Sequence, residues 1–577
     1  MTPFAVKAMP ETFGRIGRGL QLRWRASCRG LTGYSLEMRI LVLLALLMPH
    51  LPGATEQFDL VVYGGTAGGV VTAVSGAREG LRVVLLEPGQ HLGGMTTGGL
   101  SRTDIGKREV IGGMALEFYA RLGRHYEVGR FGQEVAWYFE PHVGEAILEA
   151  MLREAKVTVV KGQRLRERTG VRKSGARVEA LITEAGREFA GRVFADCTYE
   201  GDLMAQAGVR YTWGREGIAE YGEPLAGVRD RTPLHQFKVR VAAFDAAGKL
   251  LPEVAAAGTR GEVGAADKKV QAYNFRMILT QDQGNQVAFP KPDLYDARRY
   301  ELLARLLQAT VEKTGKVPRF GELCNPLAIP NGKTDTNNNG AFSTDFIGRD
   351  WEYPEGSYAV RARIWKEHEE YTKGFFYFLG HDARVPAELR AETNRWGLAK
   401  DEFLDTDHWP NQLYVREARR MVGEYVMVQR DLQTDLRKAD AIGMGSYNSD
   451  SHNIQRLATM DGAVENEGDM QVAVSPYQIP YRVILPKRGD AVNLLVPVCF
   501  SASHVAYSSV RMEPQYMILG HAAGVAAAMA VKGELAVQDV DVPGLLSKLR
   551  AQGMVSEYVA RVPVRIPLPA TRSDLER

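Results

Sequence analysis

The most constraining feature lies between residues 58 and 87. FDLVVY at 58–63 is apolar and β-branched, the pattern of a strand buried on both faces. Gly64-Gly65-Thr66-Ala67-Gly68-Gly69 follows, then a small-residue helix ending near Gly80. VVLL at 83–86 gives a second strand, closed by Glu87. Strand, glycine turn, helix, strand and acid make one βαβ unit of the type that binds dinucleotides. Small residues let the backbone approach a diphosphate, and the helix N-terminus offers it N–H groups and a positive dipole end. The acid after the second strand accepts hydrogen bonds from ribose hydroxyls. Thr66 stands where the GxGxxG fingerprint has its second glycine. It is expected either to donate its hydroxyl to a phosphate or simply to be tolerated.

The segment after the acid selects the dinucleotide. Pro88 opens a loop through His91, Gly93, Gly94, Met95 and Thr96 to Gly99, where a nicotinamide domain would move on to a helix. Fourteen glycines fall between Gly64 and Gly113. Flavoproteins of the two-dinucleotide-domain type wrap such a loop around FAD, so FAD is the expected cofactor. Gly443-Met444-Gly445 lacks the features of a second phosphate turn. Electrons are therefore expected to pass directly between substrate and flavin.

Several longer segments resemble one family. Ala195-Asp196-Cys197-Thr198-Tyr199-Glu200-Gly201-Asp202-Leu203, residues 329–345, 396–421, 446–453 and 496–514 all look like the FAD-dependent oxidoreductases often labelled xanthan lyase-like. The resemblance runs from about residue 58 to 535. It implies an α/β fold with a Rossmann-like, glutathione reductase-like FAD-binding domain split by a large α+β substrate domain, and little about substrate. Heterodisulfide reductase flavoprotein subunits look like distant relatives. Their iron–sulfur clusters do not carry over, because Cys28, Cys197, Cys324 and Cys499 form no CxxC run.

The expected organisation is a leader at 1–54, FAD-binding segments at 57–210 and 491–535, an inserted substrate domain at 211–490, and a cap and tail at 536–577. Residues 1–54 carry seven basic and two acidic side chains, a net +5. The whole chain carries a formal +3, so the rest nets −2, with no electrostatic footprint for nucleic acid. ILVLLALLM at 40–48 follows Arg39 and precedes small residues, as in a secretory signal peptide, with Met38 a candidate true start. The run is too short for a stable membrane anchor, and export is expected. Helices are predicted near 295–313, 357–371, 413–428 and 514–530, and a strand at 493–498.

Oxidation at carbon by flavin needs a base for the departing proton. The candidates are His504 and His452, the latter with Asp450 as the nearby orienting carboxylate; His408 is a weaker one. Asp196, Gly201, Asp202, Arg511 and Glu513 join Gly64–Gly69, Glu87, Pro88 and Gly93–Thr96 as cofactor-binding candidates. Arg511–Glu513 is expected at the flavin, where a helix N-terminus stabilises a reduced, anionic ring. Lys333, Asp335, Asn337 and Asn338 form a polar stretch suited to a sugar or polyol. It also mimics half a calcium loop, but Phe346 stands where the bidentate Glu belongs, so no metal is expected. Arg416 and Arg420, i,i+4 on the predicted 413–428 helix, are expected either to clamp a carboxylate substrate or to pair with neighbouring acids. His91 falls in a loop comparable to the one that carries a flavin-bonded histidine in succinate dehydrogenase-type proteins, which makes covalent attachment a hypothesis.

The expected function is hydride transfer between a small polar, sugar- or polyol-like substrate and FAD, with an unidentified electron acceptor. The alternatives are a flavin-dependent reductase of an unsaturated or carboxylated substrate, and an exported carbohydrate-binding protein with structural FAD.

Overall fold

A computed structural model describes residues 56–560; the leader, Met38 and residues 561–577 lie outside the described residues. Strand β1 (Glu56–Tyr63), helix α1 (Ala67–Arg78) and strand β2 (Val83–Glu87) follow the sequence reading. Helix α2 (Pro141–Glu154) starts on its proline, whose missing N–H is harmless in a first turn. Strands β3 (Thr158–Lys161), β4 (Val171–Ser174), β5 (Arg177–Ile182) and β6 (Glu188–Asp196) complete the segment. The sheet runs β3-β2-β1-β6-β5-β4, parallel across its first four strands and antiparallel in the β6-β5-β4 meander. Leu60 and Val62 point into one core and Val61 and Tyr63 into another, which is why β1 reads as an unbroken apolar run.

The following residues form a second sheet from β7 (Met277–Thr280), β8 (Gln286–Val287), β9 (Cys324–Ile329), β10 (Lys333–Asn338) and, after the long helix α3 (Tyr358–His381), β11 (Gly397–Ala399). Its order is β9-β10-β7-β11-β8, antiparallel throughout. The polar stretch at 333–338 is thus an interior strand, not a loop. Residues 413–428 are not helical. They run extended, with Arg420 and Met421 paired to Thr212 and Tyr211. Arg416, Arg419 and Arg420 reach acids on separate segments, and that tertiary pairing overrides the helix propensity of the Arg/Glu/Ala string.

The chain then returns to the first sheet. Strand β12 (Leu494–Leu495), shorter than the predicted 493–498, pairs in parallel with Phe194 and Ala195 of β6. Helix α4 (Glu513–Gly533) packs on α1 at small residues. A Cβ on Gly520 would lie 2.3 Å from the Gly68 carbonyl oxygen, and one on Gly524 would lie 2.5 Å from that of Thr72. Among the described residues α4 alone is long and apolar enough to cross a membrane, and it is buried in the core against α1.

Candidate functional site

The C-terminal ends of β1, β2 and β6 open into a cleft of about 430 Å³. Gly64 turns the chain out of β1 with φ +101°, and a Cβ there would lie 2.7 Å from the Cys197 carbonyl carbon. Thr66 caps α1: its Oγ1 accepts from the Gly69 amide at 3.1 Å and donates to the Cys197 carbonyl at 2.8 Å. Of the two expectations for Thr66, donation to a phosphate is not met: its hydroxyl proton ties the turn to the end of β6. Gly69 is equally constrained, since a Cβ would sit 1.9 Å from the Gly64 carbonyl oxygen.

Glu87 accepts the Gly65 amide at 2.7 Å on one carboxylate oxygen and the Gly89 amide at 2.5 Å on the other. Each oxygen keeps a lone pair for a further donor. Burial pushes this carboxyl up to about 7 against the pull of the two amides. Gly93 returns the following loop to the turn, its amide donating to the Gly65 carbonyl at 2.6 Å. Behind that loop the Met95 amide donates to the Tyr199 hydroxyl at 2.9 Å, and Tyr199 donates to Glu513 at 2.9 Å. Thr96 Oγ1 donates to the other Glu513 oxygen at 2.5 Å, and burial pushes Glu513 up to about 7. Gly64, Thr66, Glu87, Pro88, Gly94 and Asp202 line the cleft. Gly65, Ala67, Gly68, Gly69, Gly93, Met95 and Thr96 belong to the same turn, helix start and loop. An acid with two free lone pairs, a helix N-terminus and a small-residue loop are the donor and acceptor set that suits a dinucleotide.

Other expectations are corrected. Asp196 does not face the cleft; its carboxylate accepts from Thr198 N, Thr198 Oγ1 and Met204 N, fixing the turn after β6. Gly201 supplies that turn's positive φ, +69°. His452 Nδ1 pairs with Asp345 Oδ2 at 2.7 Å, not with Asp450, whose carbonyl instead accepts from Arg511. His504 Nδ1 pairs with Glu417 Oε2 at 2.8 Å. Burial lowers His452 to about 4 and His504 to about 3. Neither lines the cleft. His408 bonds the Glu402 carbonyl at 3.1 Å.

Lys333 is enclosed by Glu140, Asp401 and Glu402 at 2.6–2.8 Å. Glu140, His142 and Glu402 have metal-ligand spacing, but the Lys333 ammonium already supplies the cation there. Asp335 forms a two-bond pair with Arg276, Asn337 Oδ1 accepts from Asn274, and Asn338 is buried on the same strand. Lys333, Asp335 and Asn337 are thus committed to neighbouring segments, while the buried Asn338 Oδ1 has no partner among the described residues. Arg420 is taken up by Glu417 and Glu216 and is no spare anion clamp, whereas Arg416 lies beside Asp345 at 3.0 Å and keeps its buried Nε and Nη2 without a hydrogen-bond partner among the described residues. His91, which lines the cleft, holds Glu145 and Asp405 on its two ring nitrogens. Glu145 and Asp405 raise its pKa, which favours the doubly protonated ring over a nucleophilic one.

Sequence reading missed two groups. One is Asp345, the partner of His452. The other is the face of α3 presented to the cleft by Tyr358, Arg361, Ala362 and Trp365. Their spacing of three, four and seven residues marks one helical face and was there to be read. Further polar groups, among them the candidate Arg511, lie behind the Gly93–Gly99 loop, where a Cβ on Gly99 would meet the Arg276 carbonyl oxygen at 2.1 Å. Arg276 and Arg416 lie 5.7 Å and 4.6 Å from the Tyr414 ring centroid. Arg511 donates to the Tyr414 hydroxyl, to Gln271 Oε1 and to the Asp450 carbonyl. Its buried Nε has no partner among the described residues.

Solved structures match part of the chain at low similarity. NikD, an unusual amino acid oxidase essential for nikkomycin biosynthesis, is 14% identical over 28% of this chain and 57% of that chain, with a TM-score of 0.21. The myxobacterial chondrochloren halogenase CndH, a variant of FAD-dependent halogenases, is 20% identical over 28% and 41%, with a TM-score of 0.21. L-proline dehydrogenase from P. horikoshii is 14% identical over 28% and 59%, with a TM-score of 0.22. The chain thus spans less than two thirds of the length of each. No curated protein matches the sequence. The family model described as FAD dependent oxidoreductase matches residues 59–551, most of the chain, and the protein belongs to that family: it is an enzyme, and its cofactor is FAD.

Proposed function

We propose that the cleft at the ends of β1, β2 and β6 holds the FAD, and that the enzyme moves a hydride between it and a small polar substrate. The observation that carries this reading is Glu87, bridging the Gly65 and Gly89 amides at the mouth of the parallel sheet with a lone pair left on each oxygen. Bound FAD supplies a two-electron acceptor. The chain supplies the polar surroundings and the proton acceptor.

Support for a polar substrate comes from the buried groups behind the Gly93–Gly99 loop. Arg511 Nε, Arg416 Nε and Nη2, and Asn274 Oδ1 are buried polar atoms without partners among the described residues. Such atoms are costly to leave unmade, and a substrate hydroxyl or carboxylate would satisfy them. A sugar or polyol remains our first reading, resting on these groups because Lys333–Asn338 is interior. A carboxylated substrate is the second, favoured by Arg511, whose hydrogen-bond acceptors among the described residues are all uncharged.

His452 is the better placed base. It donates its amide to Gln271 Oε1, the same oxygen that accepts from Arg511, and Asp345 orients its ring. Anaerobic titration of the purified yellow protein with sugars, polyols and carboxylates, followed by the flavin spectrum, tests the reading. Bleaching by a polyhydroxylated compound supports it, bleaching by carboxylates alone moves the assignment to the second reading, and a spectrum inert to both rejects the two together. Export is also our proposal, supported by the apolar run at 40–48 behind Arg39, and cell fractionation tests it.

A further inference from the structure

We propose that the cleft face of α3 is a second cofactor-binding wall, a clasp supplied by the chain that follows the first FAD segment. The inference rests on the reading that the cleft holds FAD. Tyr358, Arg361, Ala362 and Trp365 share one helical face, and all four line the cleft. From Tyr358 to Trp365 the helix advances about 10 Å, enough to run along the diphosphate and the sugars on either side of it.

Contacts fix the direction of that run. The Tyr358 hydroxyl donates to the Leu165 carbonyl at 3.0 Å, and Arg164 lies 4.5 Å over its ring. The same segment is tied to the acid loop, because the Gln163 amide donates to the Glu87 carbonyl and the Gly162 amide to that of Gly89. Tyr358 therefore stands at the Glu87 end. Trp365 stands at the other. It shares the cleft with Gly94, Asn411 and Gln412, and a Cβ on Gly98 would meet Gln412 Cβ at 2.4 Å. Between them Arg361 is held by Asp202 at 2.7 Å and by the Tyr353 and Pro354 carbonyls. Its guanidinium is thus fixed in the stretch of cleft between the two rings as one half of an ion pair with Asp202, which Arg419 also reaches at 2.7 Å, with Glu200 lining the same stretch.

Two half-buried aromatic rings with a pinned guanidinium between them match the chemistry of a dinucleotide, two flat aromatic ends joined by an anionic bridge. An ordinary surface helix would turn charged side chains to that space. Arg363, Lys366 and Glu367 of α3 do lie on its solvent side, paired with acids and bases of the same surface. On this assignment Tyr358 packs against the adenosine end, Arg361 faces the diphosphate and Trp365 covers the flavin end.

Ala362 gives the sharpest test, because it is exposed, lines the cleft and is followed by empty space. Ala362→Phe should fill that space. Ala359→Phe, equally exposed on the same helix but outside the cleft lining, is the control. Protein freed of flavin is titrated with FAD, binding is read from quenching of flavin fluorescence, and folding is verified by circular dichroism. We expect Ala362→Phe to raise the Kd for FAD at least roughly tenfold and Ala359→Phe to leave it within about twofold. Trp365→Ala should speed FAD dissociation by a similar factor, and decides the matter if Ala362→Phe does not fold. Wild-type affinity in Ala362→Phe, or an unchanged dissociation rate in Trp365→Ala, overturns the clasp. Glu87→Ala separates the two readings: if it weakens FAD while the α3 variants do not, only the clasp fails, and if it too has no effect, the cleft reading fails.

Discussion

Burial, more than ion pairing, sets the titration of the two residues with the clearest consequences. His452 is lowered to about 4, first by burial and then by the Arg416 charge. A base with that pKa is neutral across the ordinary range. The acidic limb of kcat/KM should therefore fall below pH 5 rather than near the usual histidine value, and His452→Gln should lower kcat by roughly 100-fold or more while FAD stays bound. An acidic limb at 6.5 would point to a different base. Glu513 is raised by burial from 4.5 to about 7, so the native state holds its proton more tightly than the unfolded chain does. Its contribution is complete below pH 4.5 and is lost as pH rises to about 7, a change of roughly 3 kcal/mol. Glu513→Gln cannot ionise. It should match wild type in urea unfolding at pH 4.5 and exceed it at pH 8; equal stabilities at both pH values would refute the sign. Glu87 was legible in the sequence because its partners, Gly65 and Gly89, are local or one βαβ unit away. The partner of His452 was not, because Asp345 lies 107 residues off and Asp450, two residues away, is the obvious guess.

Elements whose pattern comes from their own core contacts could be read directly, and those held by distant polar partners could not. The β1–α1–β2 unit and α4 declare themselves through apolar runs and small residues. Lys333–Asn338 carries no apolar alternation and reads as a loop. It forms a strand because Glu140, Glu402 and Arg276 reach it from other segments. The string at 413–428 reads as a helix by composition and is drawn straight by acids on separate segments. At α1 and α4 the glycines set the spacing, and this gives a prediction about the helix pair. Gly524→Val would place its branch against the Thr72 carbonyl and Ser75 Cβ, so we expect a loss of about 3 kcal/mol in urea unfolding. Gly258, with nothing within 4 Å of where a Cβ would lie and no positive φ, should tolerate Ala with little change. A neutral Gly524→Val would mean the two helices are not in close contact.

One hydrophobic core runs from β1 and α1 through α4 into Phe275, Phe342 and Phe375 of the intervening residues. The β12 strand reaches β6 only after some 300 residues, so the first sheet is completed late in the chain. The cleft is assembled in the same way, from the turns after β1 and β2, the Thr198–Asp202 segment and α3. A ligand that touches all of these joins segments that the apo chain holds only through one another, so its binding energy adds to the stability of the whole unit. Linkage fixes the size: free FAD at 100 times its Kd should stabilise the protein by roughly 2.7 kcal/mol. Flavin-free protein should accordingly melt in one transition at a lower temperature, and the midpoint should climb with the logarithm of added FAD. NAD should leave it in place, because the Pro88–Gly99 loop follows Glu87 where a nicotinamide domain would move on to a helix. Differential scanning calorimetry distinguishes the outcomes. A midpoint indifferent to FAD, or a transition that splits so that only part of the heat responds, would show that the cofactor does not bridge the segments that build the cleft.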